Sequence, residues 1–254
     1  MKTIVIVAAH KPYRMPEDPC YLPLHVGAEG KASIGFRRDC EGENISAKNP
    51  HYCELTGLYW AWKNTQSDAL GLCHYRRYFA RRGLGGKFAR ILCGREIEAL
   101  LENDDILLPS KRHYWIETTE SQYVHAHHAQ DLALTRQILS ERCPQALPAW
   151  DAVMKRTSGH RFNMFIMKRE LADSYCAWLF DILFELERRL DISGYSANDA
   201  RVFGFVAERL LDVWLEANGV KCREIPYVFL ERQNWITKGA AFIKRKVEGG
   251  KKQG

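Results

Sequence analysis

Short uninterrupted apolar runs alternate along the chain with longer stretches of helical periodicity. Thr3-Ile4-Val5-Ile6-Val7-Ala8 is β-branched and apolar throughout, the pattern of a strand buried on both faces of a parallel sheet. It leads into a polar and aromatic loop of His10, Lys11, Pro12 and Tyr13. Residues 14–49, rich in Pro, Gly, Asp and Asn, read as a long loop region; loops of that length in compact domains are commonly functional or disordered. Asn49-Pro50 then predicts a helix start, with Asn as cap and Pro at the first helical position. Leu55, Leu58, Tyr59 and Trp62 follow at i, i+3, i+4 and i+7 and give that helix one apolar face. Leu70-Gly71-Leu72-Cys73 begins a second buried strand, which ends abruptly in His74-Tyr75-Arg76-Arg77-Tyr78-Phe79.

Further on, Arg95 to Leu101 reads as a short helix, Asp105 to Pro109 as a strand, and the stretch from His125 to about Arg142 as the opening and body of a helix. Gly159 to Met167 reads as a strand with Asn163 its one polar group, and a buried amide must find partners. Lys168 to Leu190 and Ala200 to Asn218 read as long amphipathic helices, the second ending at Gly219, the usual C-terminal cap residue. Cys222 to Leu230 returns to a strand-like pattern. This alternation predicts an α/β fold, a mostly parallel central sheet flanked by helices. Without an internal repeat or a clear linker, it reads as one domain over residues 1–230 and a basic amphipathic tail over 231–254.

The 254 residues suffice for a full core, and 46% hydrophobic with 27% charged residues is ordinary globular composition. The formal charge of +6 permits an anionic ligand, a membrane surface or nucleic acid without choosing among them. Eight scattered cysteines contain no Cys-x-x-Cys, so neither a structural zinc site nor a secreted disulfide scaffold is indicated. The apolar run after Met1-Lys2 is short and is interrupted by His10-Lys11-Pro12, which suits a strand better than a signal peptide. No run reaches the roughly 18–20 apolar residues of a membrane helix. A cytoplasmic location is the expectation, with peripheral contact at the inner face of the cell membrane if the basic tail meets anionic lipid.

Ligands of open α/β sheets bind beyond the carboxyl ends of the strands. At that edge this sequence places Ala8, His10 and Tyr13 after the first strand, and His74, Tyr75, Arg76 and Arg77 after the second. Arginine and histidine there suit a phosphate better than a metal; the alternative is a strand end whose arginines face water and whose tyrosines pack. Gly83, Gly85 and Gly86 lie in a basic loop lacking the Gly-Lys-Ser/Thr of a phosphate-binding loop. His125, His127, His128 and Asp131 invite a metal reading, but the His-Glu-x-x-His spacing is missing, and histidines at a helix start also cap or contact ligands. Asp199 lies at a helix start, where an anion is stabilised. Glu208 neighbours Arg209 and reads equally as an acid–base group or as half of a salt bridge.

Together, Asn44-Ile45-Ser46, the run Glu54-Leu55-Thr56-Gly57-Leu58-Tyr59-Trp60-Ala61-Trp62-Lys63-Asn64, Gly71 to Phe79, Phe162-Asn163-Met164-Phe165, Arg201 to Phe205 and Glu208-Arg209-Leu210 resemble one family. It is a family long described as a domain of unknown function and found in capsular polysaccharide, exopolysaccharide and O-antigen glycosyltransferases, some members being galactofuranosyltransferases. The resemblance spans Met1 to about Leu230. It implies a GT-A-like nucleotide-binding domain that transfers a sugar, galactofuranose or galactose, from a UDP-sugar to a hydroxyl of a growing, lipid-linked surface polysaccharide, with inversion. Where many GT-A enzymes carry Asp-x-Asp to hold a metal, this chain has His74-Tyr75-Arg76. The expectation is therefore a diphosphate clamp by Arg76, helped by His74 and Arg77, with no cofactor required; dependence on a divalent metal is left open. Asp199 and Glu208 are the candidates for the catalytic carboxylate. Asp39, Asn44, His128, Asp131 and Asn163 are the candidates for contact with the donor or acceptor sugar. The competing classes are a nucleic-acid-binding module, since aromatic and cationic groups interleave in residues 74–79, and a non-catalytic sugar-binding protein.

Overall fold

A computed structural model describes residues 1–231. The strands are β1 (Thr3–Ala9), β2 (Tyr21–His25), β3 (Arg37–Arg38), β4 (Ala69–His74), β5 (Arg77–Phe79), β6 (Ile106–Pro109), β7 (Arg112–His113), β8 (Ser158–Gly159), β9 (Phe165–Lys168), β10 (Arg223–Ile225) and β11 (Tyr227–Phe229). The helices are α1 (Asn49–Tyr52), α2 (Leu55–Asn64), α3 (Gly94–Leu101), α4 (Thr119–Val124), α5 (Ala129–Arg142), α6 (Leu147–Lys155), α7 (Arg169–Arg189) and α8 (Val202–Ala217). The main sheet has the order β10-β6-β9-β4-β1-β2-β3, and along this path only β9 runs against the others. The fold is thus α/β with a mostly parallel sheet flanked by helices, as the sequence pattern predicts.

β1 is apolar from Ile4 to Ala9 because both of its faces are covered. Ile6 and Ala8 join the core formed with α2 and the long helices α5 to α8, whereas Val5, Val7 and Ala9 join the core on the α3 side. β4 divides in the same way, with Leu70 and Leu72 on one face and Ala69 and Cys73 on the other. The pairing Val5↔Gly71 through Ala8↔His74 ends both strands at one edge of the sheet. Gly71 is needed in this pairing, because a Cβ there would lie 2.8 Å from Ile166 Cγ1 and 3.0 Å from the Phe165 carbonyl oxygen. α2 also requires a small residue, since a Cβ on Gly57 would meet Val26 Cγ1 at 2.7 Å.

Three expectations are corrected. The helix predicted to run on from Asn49 is broken at Cys53, whose φ of 53° is left-handed; the Asn49 side chain donates to the Cys53 carbonyl at 2.7 Å and stabilises the break. The strand predicted from Gly159 to Met167 is interrupted, with Phe162 and Asn163 at φ 75° and 53° and β9 starting only at Phe165. The loop region 14–49 contains β2 and β3, which extend the sheet beside β1. The C-terminal helix behaves as expected, with Gly219 at φ 61° just beyond α8. Among the described residues no helix is long and apolar enough to cross a membrane. The expected tail, from residue 232 on, lies outside the described residues.

Candidate active site

The carboxyl ends of β1 and β4 open into a cavity of about 520 Å³. A larger one, about 690 Å³, lies at the amino ends of the strands around Lys2, Thr3, Arg37 and Arg95, the edge opposite to where such sheets bind ligands. The carboxyl-edge cavity is built from β1 (Ala8, His10), β4 with its turn (His74, Tyr75, Arg76, Arg77), the broken helix (Asn49, Pro50, Cys53, Glu54), Phe162, and the start of α8 (Arg201, Gly204, Phe205, Glu208).

Its cationic wall is the turn after β4. Hairpin pairing of β5 with β4 at His74↔Arg77, and with β11 through Phe229↔Arg77, fixes the direction of this turn. The Arg77 guanidinium lies 4.4 Å from the Phe162 ring centroid and 4.9 Å from that of Phe229. Burial, with Arg76 beside it, pulls its pKa down, and it forms no salt bridge among the described residues. Arg76 is neutralised in part by Glu231 at 3.1 Å and lies over the Tyr75 ring. Tyr75 is flanked edge-on by His10 at 5.2 Å and Tyr13 at 4.9 Å between ring centroids. Burial and then Arg76 lower the pKa of His10. Arg201 enters from the other side, donating Nε–H to Cys53 Sγ at 3.1 Å. Burial, with Glu54 next to it, pushes the Cys53 thiol up to about 12, which keeps it protonated.

The anionic side is Glu54 and Glu208. Glu208 Oε1 accepts from Phe162 N–H at 3.0 Å, and Oε2 faces Arg209 at 3.0 Å. Arg209 is buried, stacks on Tyr123, and is tied to the Phe205 carbonyl and to Gln122 Oε1. Glu54 Oε1 accepts from Asn163 Nδ2 at 2.7 Å and lies 3.8 Å from His74 Nε2. His74 Nε2 is 2.7 Å from the Phe162 carbonyl; because a carbonyl only accepts, Nε2 carries the proton and Nδ1 is the imidazole's acceptor.

A model of a domain of unknown function, DUF4422, matches residues 4–219. The chain belongs to the DUF4422 family. Among solved structures it is similar to that of WbbM, described as a bifunctional glycosyltransferase in its apo form, with 28% identity and a TM-score of 0.84. That match covers 91% of this chain and 46% of WbbM, so the chain spans about half the length of its structural relative. No curated protein matches it.

In this DUF4422 chain, Ala8, His10, His74, Tyr75, Arg76, Arg77 and Glu208 come together around the cavity. Tyr13 stands just behind them, against Tyr75. The other candidates lie outside the lining. Asp199 accepts from Ser196 Oγ at 2.7 Å and pairs with His127 Nδ1 at 3.1 Å, and these two contacts hold its carboxyl below the usual range. It touches the lining through His127, whose ring stacks on Phe205 with centroids 4.3 Å apart. His128 stacks on Tyr195 at 4.1 Å. Asp131 is buried and accepts from the hydroxyls of Tyr123 and Tyr195. Asn44 shapes a turn, accepting from Ser46 N–H and donating to the Gly42 carbonyl. Asp39 is fully buried and accepts from Gly27 N–H, Ala28 N–H, Ser46 Oγ and Thr56 Oγ1. Asn163 sits beneath the floor, in a left-handed turn rather than on a strand, and donates to Glu54 and to the Gly204 carbonyl.

Glu54, Cys53, Arg201, Phe205 and Phe162 also line the cavity, and residue spacing does not single them out. Glu54 and Arg201 each stand at the head of a stretch that carries the family resemblance, and their position just before an apolar helical face is the signal that marks them. The edge presents two arginines and a histidine whose Nε2–H is already donated, whereas magnesium and manganese prefer several oxygen ligands. Among the described residues no group of three or more His, Cys, Asp or Glu is arranged to hold a metal.

Proposed function

We infer that this protein is a glycosyltransferase that moves a sugar from a UDP-sugar to a hydroxyl of a growing glycan. The observation that carries this reading is Arg77, a cation with no carboxylate partner among the described residues, held between the rings of Phe162 and Phe229 at the carboxyl edge of a mostly parallel sheet. A half-buried guanidinium calls for an anion, and its planar fork matches a diphosphate. The family membership and the likeness to WbbM support the same reading.

In this scheme the uridine end lies towards His10, Tyr13 and Tyr75, and the diphosphate lies along Arg76 and Arg77. As the bond from the anomeric carbon to the diphosphate breaks, its electron pair leaves with UDP, and the guanidiniums stabilise the charge that develops there. Fixed charges in a site shielded from water are a large source of catalysis. No metal is assigned to the reaction. The sugar lies between the arginines and the carboxylates of Glu54 and Glu208, with the acceptor entering past Arg201 and Phe205. The resemblance to polysaccharide-assembly enzymes supports galactofuranose or galactose as the sugar, inversion at the anomeric carbon, and a lipid-linked acceptor met at the inner membrane face.

Titration calorimetry with UDP, uridine and a single-stranded oligonucleotide, in the presence of chelator, tests the donor site. UDP is expected to bind at least about tenfold more tightly than uridine, since charge-assisted bonds to the diphosphate contribute about 1.5–3 kcal/mol each. Equal affinity for UDP and uridine, or binding of the oligonucleotide alone, would overturn the reading.

A further inference from the structure

We propose that Glu54 is the catalytic base that takes the proton from the acceptor hydroxyl, and that Asn163 is its positioning residue. This rests on the sugar-transfer reading and deepens it. The cavity offers two carboxylates, Glu54 and Glu208. Both oxygens of Glu208 are engaged, one by the Phe162 amide and one by Arg209, so Glu208 has a fixed structural task. Asp199 is outside the lining, and its oxygens face Ser196 and His127. Glu54 alone has an oxygen, Oε2, without a hydrogen-bond donor among the described residues, while Oε1 is anchored by Asn163 at 2.7 Å. One anchored oxygen and one open oxygen is the arrangement a general base requires, because the group must be oriented and still receive a proton.

The anchoring is built at some conformational cost. Phe162 and Asn163 are consecutive non-glycine residues in the left-handed region, and such residues persist where the surrounding structure holds them, commonly at functional sites. The amide orientation is dictated by its neighbours: Nδ2 faces Glu54 Oε1 and the Gly204 carbonyl, both acceptors. Its Oδ1 is buried without a hydrogen-bond partner among the described residues, which leaves a polar atom unsatisfied in order to aim Nδ2. The same turn supplies the Phe162 carbonyl that fixes His74 and the Phe162 amide that holds Glu208. A single strained turn therefore orients the carboxylates and the imidazole of the cavity.

The step balances as a direct displacement. The acceptor oxygen forms its bond to the anomeric carbon while its proton passes to Glu54 Oε2. The bond from that carbon to the diphosphate breaks, and its electron pair departs with UDP beside Arg77. The neutral glutamic acid then returns its proton to water.

The test compares wild type, Glu54→Gln and Glu54→Asp in transfer from a UDP-sugar, with UDP affinity measured in parallel. Glu54→Gln keeps the size of the side chain and the oxygen that Asn163 bonds, and is expected to lower kcat at least about 100-fold, with UDP affinity within about threefold of wild type. Glu54→Asp is expected to keep measurable turnover and the acidic limb of the pH–kcat profile, which Glu54→Gln loses. Asn163→Ala is expected to lower kcat and displace that limb without weakening UDP binding, a signature that a merely structural role would not give. Wild-type turnover by Glu54→Gln, or an acidic limb retained by it and lost by Glu208→Gln or Asp199→Asn, would overturn the assignment with sugar transfer intact. Failure of wild type to bind UDP or to release it from any donor would instead remove the sugar-transfer reading.

Discussion

Replacing Arg77 with methionine is expected to lower kcat/KM for UDP-sugar by about 100- to 1,000-fold, the loss seen when one preorganised group that stabilises developing negative charge is removed. Methionine preserves the unbranched stem between Phe162 and Phe229, so the packing of the hairpin survives and the loss falls on the charge. Arg77→Lys should fall between the two, because an ammonium keeps the charge but not the planar fork. Arg76→Met should lose less than Arg77→Met, since Arg76 already faces Glu231 at 3.1 Å. This ranking reverses the expectation from sequence, in which Arg76 is the principal clamp. Steady-state UDP release, with thermal unfolding as a control for folding, checks it. An Arg77→Met enzyme with wild-type kcat/KM would contradict it.

The largest effect on stability is expected at Asp39. Its carboxylate is fully buried and receives hydrogen bonds from two backbone amides and two hydroxyls. This ties the loop after β2 to the 3₁₀ turn before α1 and to α2. An asparagine there has the same shape but turns its NH2 towards a backbone amide, which can only donate, and towards a hydroxyl that must reverse its hydrogen bond. Each mismatched donor left buried costs about 1–3 kcal/mol, so a total of about 3 kcal/mol is expected for Asp39→Asn. For a domain of this size each kcal/mol is worth about 2–4 °C, which gives a fall in Tm of about 6–12 °C. Differential scanning calorimetry reads this directly. The variant's UDP affinity, measured at a temperature where it remains folded, should match wild type, because Asp39 does not line the cavity.

Much of the fold was legible in the chain because it rests on periodicity and burial. β1 and β4 were readable since both their faces are covered, α7 since it presents an apolar stripe to β4 and β9, and α8 since it is apolar almost throughout and buried among α1, α5, α6 and α7. What could not be read depends on backbone turns. Cys53, Phe162 and Asn163 adopt left-handed conformations that no glycine announces, so a helix and a strand were drawn straight through the places where the chain bends. Those bends are what bring Glu54 and Asn163 together across 109 positions of sequence. Likewise, Asp39 and Asp131 look like sugar ligands as isolated acids; only their hydroxyl and amide neighbours show that each has its oxygens occupied. The cationic edge was legible because it lies within one contiguous stretch, residues 74–77, whereas the pairing of Arg76 with Glu231 joins residues far apart in the chain.

In the proposed reaction the guanidiniums after β4 receive a nucleotide diphosphate leaving group. The most direct measurement is UDP release from a panel of UDP-sugars, including UDP-galactofuranose and UDP-galactose, with a glycan acceptor and excess chelator. Acceptor-dependent release of UDP from at least one donor, undiminished by chelator, is expected. No release from any donor, or release that appears only when manganese or magnesium is restored, would contradict it.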